Sequence, residues 1–208
     1  MVRKEENMNN TATIDKKYEL TDECIDFNGH KLYRIKALRS FGDVEVGDLG
    51  GFVEAEKNLS HFRNAWVYGN AEVYGNAGVY DNAKVYGNAR VFGNAGVYGN
   101  AIVFGNAKVA DNAKVAGNAE VSGNAKVYSN AKVYDNADYI TVSGFGCIGR
   151  TTTFFREISG NIAVVCGCFY GTLDEFRAKV KDTHGKSKYA KEYLAIADLM
   201  EMHFKEES

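Results

Sequence analysis

From Ala65 to Ala137 an alanine stands at every sixth position, thirteen times without a slip. A valine follows two places after it in twelve successive units, from Val67 to Val133. Residues two apart on a strand point to one face, so alanine and valine share an inward side. Each unit reads as a four-residue strand such as Ala71-Glu72-Val73-Tyr74, with Glu72 and Tyr74 outward. The pair that follows, Gly75-Asn76, consists of the two residues that best tolerate a left-handed backbone and turn a corner. A helix is excluded, because a period of six with Gly-Asn in every turn fits no 3.6-residue repeat. So short a strand cannot bury its apolar face alone. Strand and corner must therefore stack on their own copies as a β-solenoid.

The unit V-Y-G-N-A-x resembles the hexapeptide repeat of left-handed parallel β-helix proteins, best known from acyltransferases. The resemblance implies a left hand, a triangular section and three hexapeptides per coil, hence about four regular coils here. "GDLGGFVEAEKNLSH" (Gly47 to His61), running into "NAWVYGNA", is also similar to hexapeptide-repeat proteins of phages, prophages and gut bacteria, some of them named as acyltransferases. From it follow the expectations of a homotrimer packed through its prisms and, from the phage likeness, of a host protein as partner that the chain inhibits or sequesters.

With 18 residues per coil, outward positions 18 apart stack on one side of the prism. The first side carries Trp66, Tyr68, Lys84, Tyr86, Ile102 and Phe104, then Glu120 and Ser122. Trp66 and Ile102 hold a position that elsewhere takes glycine or charge, so this side is expected to be covered by another protomer, a partner or a flanking domain. Its interface residues would be Trp66, Tyr68, Tyr86, Ile102 and Phe104. On the other two sides the tyrosines are expected to stack within the chain. Arg90, Lys108 and Lys126 line up on the second side, and Lys114 and Lys132 on the third, a candidate patch for an acidic partner. Nearby carboxylates cancel that charge. A solvated mixed-charge wall is the better reading, and nucleic acid is disfavoured.

The ends differ from the repeat. Residues 1–17 are polar and expected to be frayed, and 18–54 form an N-terminal β cap. In that cap Asn28-Gly29, flanked by alternating apolar residues, signals a two-residue hairpin turn. The cap is expected to plug the first open rung. The β-helix spans 55–140, and a small α+β domain with two helices spans 141–208. In it "TTTFFREISGNIAVVCGCF" reads as two strands about a Ser-Gly-Asn turn. Thr172 to Glu175 forms a capping box for a helix with Leu173, Phe176 and Val180 on one face, closed by Gly185. Tyr189, Tyr193, Ala197, Met200 and Phe204 share a face of the second helix. The fold class is thus mainly β: a left-handed parallel β-helix with a β cap and an α+β domain.

A formal charge of −2 provides no field for nucleic acid or an anionic membrane. No apolar run of membrane length and no signal peptide is visible, which points to the cytoplasm. Cys24, Cys147, Cys166 and Cys168 lack zinc or disulfide spacing. Cys166 and Cys168 are expected on one strand face as buried thiols, and no metal or cofactor is expected. Acyltransferases of the resembled family use a histidine as general base beside an inter-prism acyl-CoA groove, and the zinc enzymes on that fold need three histidines. Here His30, His61, His184 and His203 all lie outside the regular coils. His61, at a repeat-valine position, is the one candidate base, and reads more readily as a capping residue. The expected function is non-catalytic protein binding, with an acyltransferase and a self-assembling spacer as alternatives.

Overall fold

The computed structural model describes residues 15–205. Twelve two-residue strands, β4 (Trp66–Val67) to β15 (Lys132–Val133), recur every six residues. Each of the first nine pairs in parallel with the strand three units on. Trp66 meets Lys84, Lys84 meets Ile102, and Ile102 meets Glu120. The second side aligns Glu72, Arg90, Lys108 and Lys126, and the third Gly78, Gly96, Lys114 and Lys132. The result is a parallel β-solenoid of about 5 turns. Its three sides carry the residues that 18 per coil, the number implied by the resemblance, assigned to them.

The strands are shorter than the four residues expected. The alanine N–H leaves the ladder and closes the corner instead, as Ala71 N–H does on Tyr68 O at 3.1 Å. Inside the prism every repeat alanine from Ala65 to Ala131 and every valine from Val67 to Val133 is buried. Ala137 departs from that pattern. It lies exposed in a 3-10 turn, Asn136–Asp138, where the last coil ends.

The two corner residues divide their work. In the coils the left-handed backbone belongs to the first, as at Gly75 (φ 70°) and Gly87 (φ 73°), or to Asp81, Asp111 and Ser129 where glycine is replaced. Asparagine, expected to share that conformation, instead hydrogen-bonds to its copy one coil on. Asn64, Asn82, Asn100 and Asn118 form one such ladder, Asn76, Asn94, Asn112 and Asn130 a second, and Asn88, Asn106 and Asn124 a third. The substituted aspartates also cap a neighbour: Asp81 accepts from Gly99 N–H, and Asp111 from Ser129 N–H.

The ladder has a direction. Outward residues donate their N–H to a carbonyl in the following coil, as Trp66 does to Ala83 O and Glu72 to Ala89 O. Carbonyls are consequently left open at the N-terminal mouth and N–H groups at the C-terminal one, and both ends require partners. At the first mouth the Lys17 ammonium donates to Ala65 O at 2.6 Å. The Asn58 amide donates to Ala77 O at 2.7 Å. The remaining sheet receives a true strand, β3 (Leu49–Val53), parallel to Glu72–Val73. At the other mouth the partners are acceptors. Asn136 Oδ1 takes Glu120 N–H, Thr153 Oγ1 takes Lys126 N–H, and Asp138 Oδ2 takes Tyr134 N–H.

Strands β1 (Tyr18–Phe27) and β2 (His30–Ala37) form the expected hairpin, with positive φ at both Asn28 and Gly29. Tyr18, Ile35 and Leu59 join the prism core at the mouth. The hairpin does more than plug, because its tip also folds over the second prism side. There Leu32, Phe52 and Tyr74 form a small core with Ile25, Phe27 and Phe92 against it. Lys17, placed by sequence in a frayed segment, is fully buried; residues 1–14 of that segment lie outside the described residues.

Beyond the prism, β16 (Tyr139–Phe145), β17 (Arg150–Arg156), β18 (Ile162–Cys166) and β19 (Phe169–Thr172) form an antiparallel sheet in that order. Of these, β16 and β19 carry little alternation, and the sequence reading recovered only the middle two. The sheet faces both ways. Phe155, Ala163 and Val165 extend the prism core, while Phe154 and Val164 pack under helices α1 (Leu173–His184) and α2 (Lys188–Phe204). The capping box forms as expected: Glu175 accepts from Thr172 N–H at 2.7 Å, and Thr172 Oγ1 accepts from Glu175 N–H. Gly185 ends α1. On α2 the buried stripe begins at Ala190, while Tyr189 stays exposed with its ring edge-on to His184.

Candidate functional site

The first prism side is not the continuous apolar face that sequence implied. Trp66 retains 1% of its surface, because Tyr18 and Phe41 meet its ring edge-on at 6.1 and 5.3 Å. A residue so covered contributes to the chain's own core, and of the covers expected for this side it has the flanking N-terminal cap. Tyr68 is also engaged, since its hydroxyl donates to Asp43 Oδ1 at 2.8 Å and Lys84 donates to the same carboxylate at 2.9 Å. These bonds, the one from Lys84 foremost, hold the Asp43 carboxyl below its ordinary range. What remains open lies lower. Tyr86, 36% exposed, stacks on Phe104 at 4.9 Å, with Ile102 half-buried beside them. At the bottom of the side, Tyr139 donates to Glu120 O and closes the strip.

The other two sides behave as intramolecular walls. On the second, Tyr74 and Phe92 stack at 5.2 Å under the hairpin, and Tyr128 meets Phe92 edge-on. On the third, the Tyr98 and Tyr134 hydroxyls bond at 3.1 Å, and the Tyr80 ring lies back across Gly78, where a Cβ would collide with it.

The basic residues do not act as one patch. Arg90 faces Glu72 at 3.0 Å, without a hydrogen-bonding angle, and lies over the Phe27 ring at 4.2 Å. Burial pushes the Glu72 carboxyl upward and the nearby guanidinium offsets this in part. Lys126 donates to Gly167 O, and Lys132 lies over Tyr134. Lys108 is half-buried between Arg90 and Lys126, and Lys114 is exposed on the adjoining side. Of the five, Arg90 alone faces a carboxylate among the described residues, while Lys126 and Lys132 are held by a carbonyl and a ring.

His61 is built as a capping residue. Its ring stacks on Tyr18 at 4.4 Å, and Nδ1 accepts the Lys17 N–H at 3.2 Å, which leaves the proton on Nε2. Nε2 faces Glu56 at 3.8 Å and has no hydrogen bond. Burial lowers its pKa despite Glu56. The nitrogen that could accept a substrate proton is already occupied by backbone.

An apolar cavity lies elsewhere, in the C-terminal α+β domain. Between the sheet and the helices a space of about 260 Å³ is floored by Phe169, Phe176, Val180 and Tyr193. Arg150, Lys179 and His184 stand at its rim, with Cys147 and Cys166 in its wall. Cys147 and Cys168 are exposed and Cys166 half-buried, all as free thiols, which corrects the expectation of a buried pair. The reason is that β18 ends at Cys166 and a turn at Gly167 (φ 64°) sends Cys168 outward. Nothing in the periodicity signals this cavity, because its lining comes from four separate segments.

No protein-family model and no curated protein matches this chain. Among the described residues no helix is long and apolar enough to cross a membrane, and no cluster of three or more His, Cys, Asp or Glu could hold a metal ion.

Proposed function

We propose that the chain is a non-catalytic, hexapeptide-repeat protein-binding β-helix that self-associates as a homotrimer through its first prism side. The observation that carries this reading is the Tyr86–Phe104 stack with Ile102 beside it, half-exposed on a flat parallel sheet whose upper part is sealed by Trp66 and Asp43. Rigid aromatic side chains on a flat rigid wall lose little conformational entropy on burial, which favours protein contact. The likeness of Gly47 to His61 to phage and prophage proteins adds a bacterial host protein as the target to be inhibited or sequestered. Acyl transfer from His61 is disfavoured by the occupied Nδ1.

Light scattering on the wild type and on Ile102→Glu tests the reading. A trimeric mass that the variant reduces to a monomer, with the β spectrum unchanged, is the expected outcome. A monomer in both removes the self-association.

A further inference from the structure

The cavity of the C-terminal domain belongs to neither mouth of the prism and takes no part in the proposed interface. Its floor is aromatic. Phe169 and Phe176 lie 5.6 Å apart, Phe176 meets Tyr193 edge-on at 5.7 Å, and His184 stacks on Tyr193 at 5.8 Å. Rings so arranged leave both faces and edges to offer to another flat ring. At about 260 Å³ the space lies just below the ~300–1,000 Å³ typical of drug-sized ligand pockets, so the guest is a small molecule.

The electrostatics have one sign. The lining includes Arg150, Lys179 and His184, and no aspartate or glutamate. No carboxylate among the described residues pairs with Arg150, whose guanidinium lies against the Gly167 backbone, where a Cβ would displace it. Lys179 does pair with Asp182 at 3.4 Å, but both side chains are more than half exposed and such a pair is easily exchanged. Tyr193 adds no negative charge. Burial, with Cys166 next, pushes its phenol up to about 12, and its hydroxyl donates to Phe145 O.

We infer that this cavity is a binding site for a small aromatic carboxylate, its ring on Phe169, Phe176 and Tyr193 and its anionic group on the Arg150 guanidinium. A planar guanidinium fits a carboxylate through two parallel hydrogen bonds, which a lysine alone would not do. The two thiols line the wall as soft apolar contacts and carry out no chemistry in this assignment.

The test titrates the full-length, ¹⁵N-labelled chain with benzoate, and in parallel with benzamide (same ring, no charge) and acetate (charge, no ring). Saturable shifts are expected with benzoate at residues 147–150 and 176–184. Benzamide and the Arg150→Gln variant should each weaken binding about tenfold, the loss of one charge-assisted contact. Acetate should leave the floor residues unmoved. Arg150 is exposed, so its substitution leaves the fold intact, and Thr183→Trp at the exposed mouth provides a second variant that blocks entry. Absence of saturable benzoate shifts up to ~10 mM overturns the site. Equal binding of benzamide and benzoate, or unchanged binding in Arg150→Gln, overturns its assignment to an anion.

Discussion

At the residue scale the most consequential single side chain is Lys17. Its ammonium closes an open carbonyl of the first rung while fully buried, with Arg39 adding repulsion. Burial lowers its pKa from 10.5 to about 8. Between those values the unfolded chain holds a proton that the folded one has released, so stability rises with pH across that window. Tyr18 acts in the opposite sense above pH 10. Burial raises its phenol, the folded state keeps a proton that the unfolded state loses, and stability falls again. Urea midpoints measured from pH 7 to 11 should therefore rise from about pH 8 and turn over near pH 10. Lys17→Met should abolish the rising limb, because an uncharged side chain has no proton to lose. A midpoint that stays flat from pH 7 to 10 in the wild type would contradict the buried ammonium.

At the element scale the coil resembles a helix with two unlike ends, one short of donors and the other short of acceptors. Asn58 shows how specific such a cap must be. Its backbone sits in a 3-10 turn, its Oδ1 accepts from Ala55 N–H, and its Nδ2 donates to Ala77 O and Gly75 O. Asn58→Asp keeps the shape and the acceptor but sets an oxygen against two carbonyls in a buried site. A loss of about 2–3 kcal/mol is expected in chemical denaturation. Lengthening the side chain is not needed to break the cap; removing the donor is enough. A variant as stable as the wild type would show that the rung is closed by other means. The asparagine ladders along the corners contribute in the same manner but in solvent, so each rung adds less.

For the whole molecule, the prism core continues without a break into the C-terminal sheet through Phe155, Ala163 and Val165. The sheet also supplies Thr153 to the open N–H of Lys126, and the segment before it supplies Asn136 to Glu120. The C-terminal domain is therefore the stopper of the solenoid as well as the holder of the cavity. A chain ended after Tyr134 loses those acceptors and bares the lower faces of Val127 and Val133. An exposed parallel edge of that kind templates the addition of further strands. Size-exclusion chromatography of the truncated chain should show polydisperse assemblies larger than the wild type. A sharp peak of wild-type or smaller size would mean that the lower mouth needs no stopper.

The sequence by itself determined the coil. Alanine and valine two apart, repeated every six residues, leave one way to bury both; the sorting of outward residues onto three sides needed in addition the three hexapeptides per coil that the resemblance implied. The hairpin turn at Asn28-Gly29 and the capping box at Thr172 were legible for the same reason, since each is a local pattern whose chemistry is complete within a few residues. Tertiary structure decided what the outward residues do. Trp66 looked like an interface residue because its cover, Tyr18 and Phe41, is remote in sequence. Arg90 looked like part of a basic row, although Glu72 stands beside it one coil up, because Phe27 reaches it only after the hairpin folds over. Asparagine looked like a turn residue, whereas its side chain serves the next coil. The cavity, drawn from strands and helices with no shared period, had no local signature at all. Periodicity encodes what a residue does toward its own repeat; what covers that residue depends on long-range packing, which a one-dimensional pattern does not record.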